Sequence, residues 1–366
     1  MSVKRLLCIM NSTNVGGAET FIMKVFRQLD RNKYVIDFCI NVFEECAYDK
    51  EIERLGGKIF RIPSKTSNIF LFRRELSKIV RDNNYKYVLR ITSNAGGFYD
   101  LKVAKKAGAL VCSARSSNSS DGKSLKHRII HFIGSKMWLK FIDRKISPSI
   151  KAAKYTFGSA EGVFLLNNGL DLKKFSYDDE ARIKIRAELG IDDSAMLLGH
   201  VGRFDTQKNH MFLIEVFNEY HKINKNSYLI LVGIGRLQET IRKKALALNI
   251  SEFVIFAGLR EDIPQLMSAM DFMVFPSLYE GMPNVIIEAQ ASNLPCLLSD
   301  TITREVGITD LISFASLKND SLSSWINKIV RNPRRDVSND EVRKSGYDIV
   351  DVTKEFIRIV FSETIK

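Results

Sequence analysis

The stretch "FPSLYEGMPNVIIEA", Phe275 to Ala289, carries two glutamates eight residues apart, Glu280 and Glu288, around a Gly-Met-Pro corner. An apolar run, Phe272 to Phe275, leads into it, and a helix-like apolar run, Val285 to Ala291, leads away. The first reads as a buried strand and the second as the start of a helix. Gly281 and Pro283 bend the chain between them, which leaves backbone N–H groups of Met282, Asn284 and Val285 at a helix start. A carboxylate accepts two hydroxyl hydrogens well, so each glutamate suits a vicinal diol. One turn of chain and one of helix separate the two carboxylates by about the span between hexose and ribose in a sugar nucleotide. A single glutamate here would be ordinary, favoured by the helix dipole or by solvent. The pair points to a ligand.

The same strand-then-helix alternation runs from end to end. Strands are predicted in the first half at Leu6–Met10, Val35–Val42, Lys58–Ile62, Tyr87–Ile91, Ala109–Ser113, Lys145–Ser147 and Val163–Leu166. In the second half they are predicted at Leu197–Val201, Tyr228–Val232, Val254–Ala257, Phe272–Phe275, Cys296–Ser299 and Ile312–Phe314. Helical patterns such as Glu19–Leu29, Leu71–Asp82 and Met211–Ile223 fall between them. Such alternation implies parallel α/β sheets covered on both faces. The expected organisation is a domain over 1–175, a second over 190–345, and a helix in 346–366 packing back on the first. The polar stretch Asp171 to Ser194 holds the linker. Two doubly wound domains facing each other make a cleft, with ligands at the carboxyl ends of the strands.

Other loops at strand ends support that reading. "GHVGRFDTQKNH" leaves its strand through Gly202, then offers Arg203 and Lys208 before a helix near Asn209. A guanidinium and an ammonium beside a helix start suit a diphosphate. "LVGIGRL" places Gly233 and Gly235 after another strand without the third glycine of a dinucleotide fingerprint, so they read as close-approach turns beside a ligand. In "FAGLREDIP" the backbone of Leu259 and Arg260 can meet a flat base.

Length and composition fit a soluble globular protein of about two domains. No apolar run approaches the ~18 residues of a membrane span, and the N-terminus turns polar too soon for a signal peptide. The five scattered cysteines read as buried thiols in a cytoplasmic protein. Charge is uneven. Residues 1–170 hold 30 Lys and Arg against 14 Asp and Glu, whereas residues 171–366 hold 25 against 28. Residues 101–154 alone hold 13 basic side chains against 2 acidic ones, which suits an anionic partner. Within them, Ser124 to Lys145 reads as a basic amphipathic helix whose apolar stripe packs mainly on the sheet, with Trp138 exposed towards an anionic lipid surface. His127 and His131, four apart, lack a third metal ligand.

Taken together, these stretches resemble the retaining glycosyltransferases of family 4, with the two-domain GT-B fold, and especially their polysaccharide-assembly members. "NVGGAE", "NNGLDLKKF", "VGRFDTQKN", "LVGIG", "FAGLREDI" and the glutamate motif carry the resemblance over nearly the whole chain. It implies that Arg203 and Lys208 bind the donor diphosphate, Glu280 the donor sugar and Glu288 the ribose. Gly16 and Gly17 would approach from the first, acceptor-side domain. Gly202, Gly233, Leu259, Arg260, Gly281, Met282, Pro283, Asn284 and Val285 would complete the donor site. Where relatives read "IAHSHN", this chain reads "SARSSN", which puts Arg115 and Ser117 in the histidine positions and Asn118 beside them on the acceptor side. The expectation is a metal-independent transferase without a cofactor beyond the nucleotide sugar. Its acceptor would be lipid-linked or a glycan, on the inner face of the plasma membrane, with no nucleic acid partner. A sugar-nucleotide epimerase or hydrolase, or a non-catalytic anion-binding protein, are the alternatives.

Overall fold

The computed structural model describes residues 3–117, 125–318, 321–330 and 339–363, without the side chains of 125–128, 321 and 330. The chain forms two units: Met1–Gly169 with Gly346–Lys366, and Leu170–Ser345. In the first, strands β1 (Lys4–Ile9), β2 (Tyr34–Ile40), β3 (Ile59–Arg61), β4 (Tyr87–Thr92), β5 (Val111–Ser116), β6 (Arg144–Ser147) and β7 (Val163–Leu165) make one sheet. Between them run α1 (Gly17–Gln28), α2 (Asp49–Arg54), α3 (Ile69–Asp82), α4 (Phe98–Lys106), α5 (Leu125–Met137) and α6 (Ile150–Phe157). The strand order is 3-2-1-4-5-6-7, with every pairing parallel.

The second unit repeats the plan. Its strands are β8 (Met196–Val201), β9 (Ser227–Val232), β10 (Val254–Gly258), β11 (Phe272–Phe275), β12 (Cys296–Ser299) and β13 (Ile312–Ala315), in parallel order 10-9-8-11-12-13. Its helices are α7 (Asp179–Glu188), α8 (His210–Ile223), α9 (Gln238–Ala247), α10 (Ile263–Ala269), α11 (Asn284–Ala291), α12 (Ser321–Val330) and α13 (Asp340–Lys344). The last helix, α14 (Ile349–Val360), belongs to the first unit, where Phe356 packs edge-on against Phe21 of α1. Both sheets are doubly wound and Rossmann-like.

The strands form where they do because their apolar runs are buried on both faces. Leu6 to Ile9 and Leu229 to Leu231 are at most 1% exposed. Helices cover them with periodic apolar stripes, such as Phe21, Ile22, Val25 and Phe26 of α1. The second unit begins earlier than the expected linker. Phe175 is buried, and its carbonyl accepts from Ser292 Oγ at 2.9 Å. The polar stretch after it forms α7, whose Arg182 and Arg186 both pair with Asp271. In each sheet the direction of winding reverses between two neighbours, β1 with β4 and β8 with β11. Such switch points open a crevice at the carboxyl ends of the strands.

Candidate functional site

The loops at the switch point of the second sheet carry the motif residues. After β8, Asp205 caps a short 3-10 turn, Thr206–Lys208, by accepting from the Lys208 N–H at 3.2 Å. Asn209 follows at φ 55°, in the left-handed region that asparagine tolerates, and turns the chain into α8. Three bonds tie this loop to the one after β11. The Leu278 N–H donates to the Gln207 carbonyl at 2.8 Å, and Gln207 Nε2 to the Tyr279 carbonyl at 2.9 Å. Asn209 Nδ2 donates to the Pro276 carbonyl at 3.2 Å. Side chains 72 residues apart thereby meet: Lys208 Nζ lies 2.7 Å from Glu280 Oε1, with both groups largely buried. The Phe275 ring lies 4.6 Å from the same ammonium.

That pair stands beside two helix starts. Neither α8 nor α11 has a side-chain hydrogen bond at its N-cap, and N–H groups at such ends favour anions. Pro283 is the α11 cap, Asn284 and Val285 open the helix, and Glu288 sits one turn further in, half-buried. Gly281 is exposed and Met282 half-buried in the loop before it. Arg203 stays apart. Its side chain is 82% exposed, with Asp205 3.9 Å away.

Two glycines serve the loops themselves. Gly233 adopts φ 136°, and a Cβ there would sit 2.2 Å from the Gly202 carbonyl oxygen. A Cβ on Gly235 would sit 2.5 Å from that of Phe204. The close approach is therefore between backbones of the β8 and β9 loops, where the sequence suggested a ligand. The Arg260 side chain is committed to Asp262 and Glu188, at 2.7 and 2.8 Å, and these partners raise its pKa. Leu259 beside it is exposed.

The first unit has its own crevice at the β1/β4 switch point, a cavity of about 300 Å³ lined by Gly17, Glu19, Arg90, Thr92 and Ser117 among others. Gly16, the extended N-cap of α1, lies under the folded-back Glu19 carboxylate, whereas Gly17 faces open space. Arg90 is held by Asp100 at 2.9 Å and donates to the Ile9 carbonyl and Asn11 Oδ1, each at 3.0 Å. Arg115 is 1% exposed. Its guanidinium lies 3.5 Å from the centre of the Phe21 ring and donates to Asn168 Oδ1 at 2.6 Å. Burial pushes its pKa down to about 9. Asn118 and His127's side chain lie outside the described residues. His131 accepts from the Ala95 N–H and stacks on Tyr155.

Comparison with known proteins decides the family. The profile of the "Glycosyl transferases group 1" family matches residues 195–332, which include both switch-point loops. A Bacillus subtilis (strain 168) protein bearing the name glycosyltransferase EpsF is 34% identical over 361 residues, covering 95% of this chain and 94% of its own. The chain belongs to the group 1 glycosyltransferases. An Escherichia coli UDP-Gal:alpha-D-GlcNAc-diphosphoundecaprenol alpha-1,3-galactosyltransferase is 24% identical, covering 75% of this chain and 74% of its own. Among solved structures, Anabaena Alr3699/HepE in complex with UDP shares the fold, with TM-score 0.75 and 18% identity over 97% of this chain and 99% of its own.

This glycosyltransferase also holds two site histidines to which the sequence reading gave no role. His200 Nδ1 lies 2.9 Å from the Val274 carbonyl oxygen, and the His210 ring stands edge-on at 4.6 Å, stacked on Phe204. Both are at most 2% exposed. Burial lowers both pKa values, that of His210 to about 4, so both rings are neutral at pH 7. His200 Nε2 lies against Gly202. A Cβ at that glycine would be 3.0 Å from the nitrogen and 3.2 Å from Lys208 Cδ and Cε. Gly202 thus lets the lysine stem cross the histidine. The signal was the pair of histidines bracketing "GHVGRFDTQKNH", but one is on a strand and the other on a helix, so their spacing has no period.

Proposed function

We propose that this glycosyltransferase moves a sugar, with retention at the anomeric carbon, from a nucleotide diphosphate sugar to a lipid-linked or glycan acceptor. The setting is bacterial-type surface polysaccharide assembly, peripheral to the inner face of the plasma membrane. The observation that carries the reading is the Lys208–Glu280 pair across the β8/β11 switch point. An ammonium has three donors. One meets Glu280, and the others suit a diphosphate, while the second Glu280 oxygen suits a sugar hydroxyl. The donor would lie with its sugar at Glu280, its diphosphate over Lys208 and the starts of α8 and α11, and its ribose towards Glu288. UDP in Anabaena HepE and UDP-Gal in the name of the Escherichia coli relative support this donor class.

As the bond between the anomeric carbon and the diphosphate oxygen breaks, its electron pair stays on the diphosphate. Lys208, the exposed Arg203 and the helix-start N–H groups stabilise that charge in place of a divalent ion. The acceptor hydroxyl attacks from the leaving-group face and gives its proton to the departing phosphate. The diphosphoundecaprenol in the Escherichia coli relative's name supports a lipid-linked acceptor.

The test is turnover on a panel of sugar nucleotides with membrane lipid, reading the anomeric configuration by NMR. A retained product is expected, and an inverted one would overturn the mechanism. Exhaustive chelation should leave the rate unchanged. Loss that magnesium or manganese restores would transfer the neutralising role from Lys208 and Arg203 to a metal.

A further inference from the structure

We propose that the outer face of α5 docks this enzyme on an anionic lipid surface. The helix is seated by one side only. Gly134 packs so closely on the turn Ala95–Gly97 that a Cβ would sit 2.3 Å from the Ala95 carbonyl oxygen. Ile130 lies over Gly96, and His131 accepts from the Ala95 N–H at 3.1 Å. Just after the helix, Trp138 is half-buried and packs edge-on against Tyr99, with centroids 5.2 Å apart. The expected roles are therefore reversed: the tryptophan packs inward, and much of the apolar stripe faces out.

That outward stripe is Ile129, Phe132, Ile133 and Met137, at spacings that fall on one helical face, with exposures of 52%, 64%, 39% and 57%. Single exposed apolar side chains are ordinary, but four on one face of one helix form a patch. Lys136 is exposed within the stripe and Lys140 just beyond it. A second exposed group opens α3: Phe70 is 82% exposed, with Arg73 and Arg74 exposed on the same face. The loop before α3 reaches the same Ala95–Gly97 turn, where Lys65 Nζ donates to the Gly96 carbonyl at 2.9 Å.

Charge decides the occupant. A protein partner would fit the apolar stripe alone, but these side chains are interleaved with lysines and arginines, in a segment of 13 basic and 2 acidic residues. Two of its arginines, Arg115 and Arg144, are buried, whereas Lys106, Lys136, Lys140, Lys151 and Lys154 are exposed. Apolar side chains entering the acyl boundary with ammonium groups at the headgroup level is the pattern of an interfacial helix. This inference rests on the membrane-facing acceptor proposed above and assigns the face that reaches it.

Sedimentation with phosphatidylglycerol-containing and pure phosphatidylcholine vesicles, at low and high salt, tests it. Binding to the anionic vesicles alone, weakened by salt, is expected. Lys136→Gln with Lys140→Gln should lower it about 25-fold, at about fivefold per lysine near an anionic surface. Phe132→Ser should lower it about tenfold, as removing a buried aromatic would. Melting temperature confirms folding, and UDP affinity should not change in either variant. Equal binding to both vesicles, or none at low salt, overturns the proposal. So does a dimer in solution that Phe132→Ser abolishes, since the face would then belong to a second copy. Vesicle binding lost in these variants, in an enzyme that binds no nucleotide sugar, would uphold the docking face and sink the donor reading instead.

Discussion

The two sheets have the same winding and open at equivalent switch points, yet their charged groups are used in opposite ways. At β8/β11 the lysine and glutamate meet each other with the Phe275 ring beside the ammonium, and among the described residues neither side chain has a further hydrogen-bond partner. At β1/β4 and along β5, the arginines are tied into the fold: Arg90 by Asp100, the Ile9 carbonyl and Asn11 Oδ1, Arg115 by Phe21 and Asn168. One end keeps its charges available for a ligand, while the other uses them to hold loops. The lesson is that a cation at a strand end becomes a candidate for chemistry only when its partners leave donors over.

The sharpest way to break that contrast is to remove Lys208. Lys208→Ala should cost about 3–4 kcal/mol of transition-state stabilisation, roughly 10²–10³ in turnover, with the fold intact by circular dichroism. Near-normal turnover would erase the distinction between the two ends.

Next in size is an acid sensitivity of the second unit. His210 is neutral in the fold, with its pKa lowered to about 4, and titrates near 6.5 once unfolded. Its contribution to stability is therefore complete above pH 6.5 and is lost as pH falls through about 4. The total is about 3 kcal/mol, and His200 shifts the same way. Melting temperature followed from pH 7 to pH 4 should fall less steeply in His210→Phe. An unchanged slope would mean that acid acts elsewhere.

The glycines sharpen the contrast further. Gly233→Ala faces both a positive φ and the Gly202 carbonyl, and should destabilise by about 1–3 kcal/mol. Gly17→Ala meets nothing within 4 Å, and its stability should change by less than about 0.5 kcal/mol. Thermal melts of both variants check this. If Gly17→Ala nevertheless loses turnover, the open space beside it is used by a ligand.

Much of this was legible in the sequence, for identifiable reasons. All thirteen expected strands formed, because strands of a parallel sheet buried on both faces read as short apolar runs bounded by turns. The largest shift in bounds is at β5, expected over Ala109–Ser113, which starts at Val111 and continues through Ala114, Arg115 and Ser116. Its polar end looked like a loop, and only the Phe21 ring and Asn168 explain a buried arginine there. The group 1 family was legible in its motifs. The Lys208–Glu280 contact was not, since three hydrogen bonds between distant loops create it. The turns at Gly233 and Gly235 were legible as places of close approach, and the neighbour each meets, the backbone of the loop after β8, was not. Trp138 misled because side-chain size does not say which side of a helix meets the domain.

The central claim is that the donor diphosphate belongs to Lys208 in the second unit. Calorimetric titration of UDP into the wild type, Lys208→Ala and Ser117→Ala tests it most directly. Loss of charge-assisted hydrogen bonds of about 1.5–3 kcal/mol should weaken UDP binding to Lys208→Ala by roughly 10- to 150-fold. Ser117→Ala, at the cavity of the first unit, should bind as the wild type does. Unchanged affinity in Lys208→Ala, with the loss appearing in Ser117→Ala, would contradict the account.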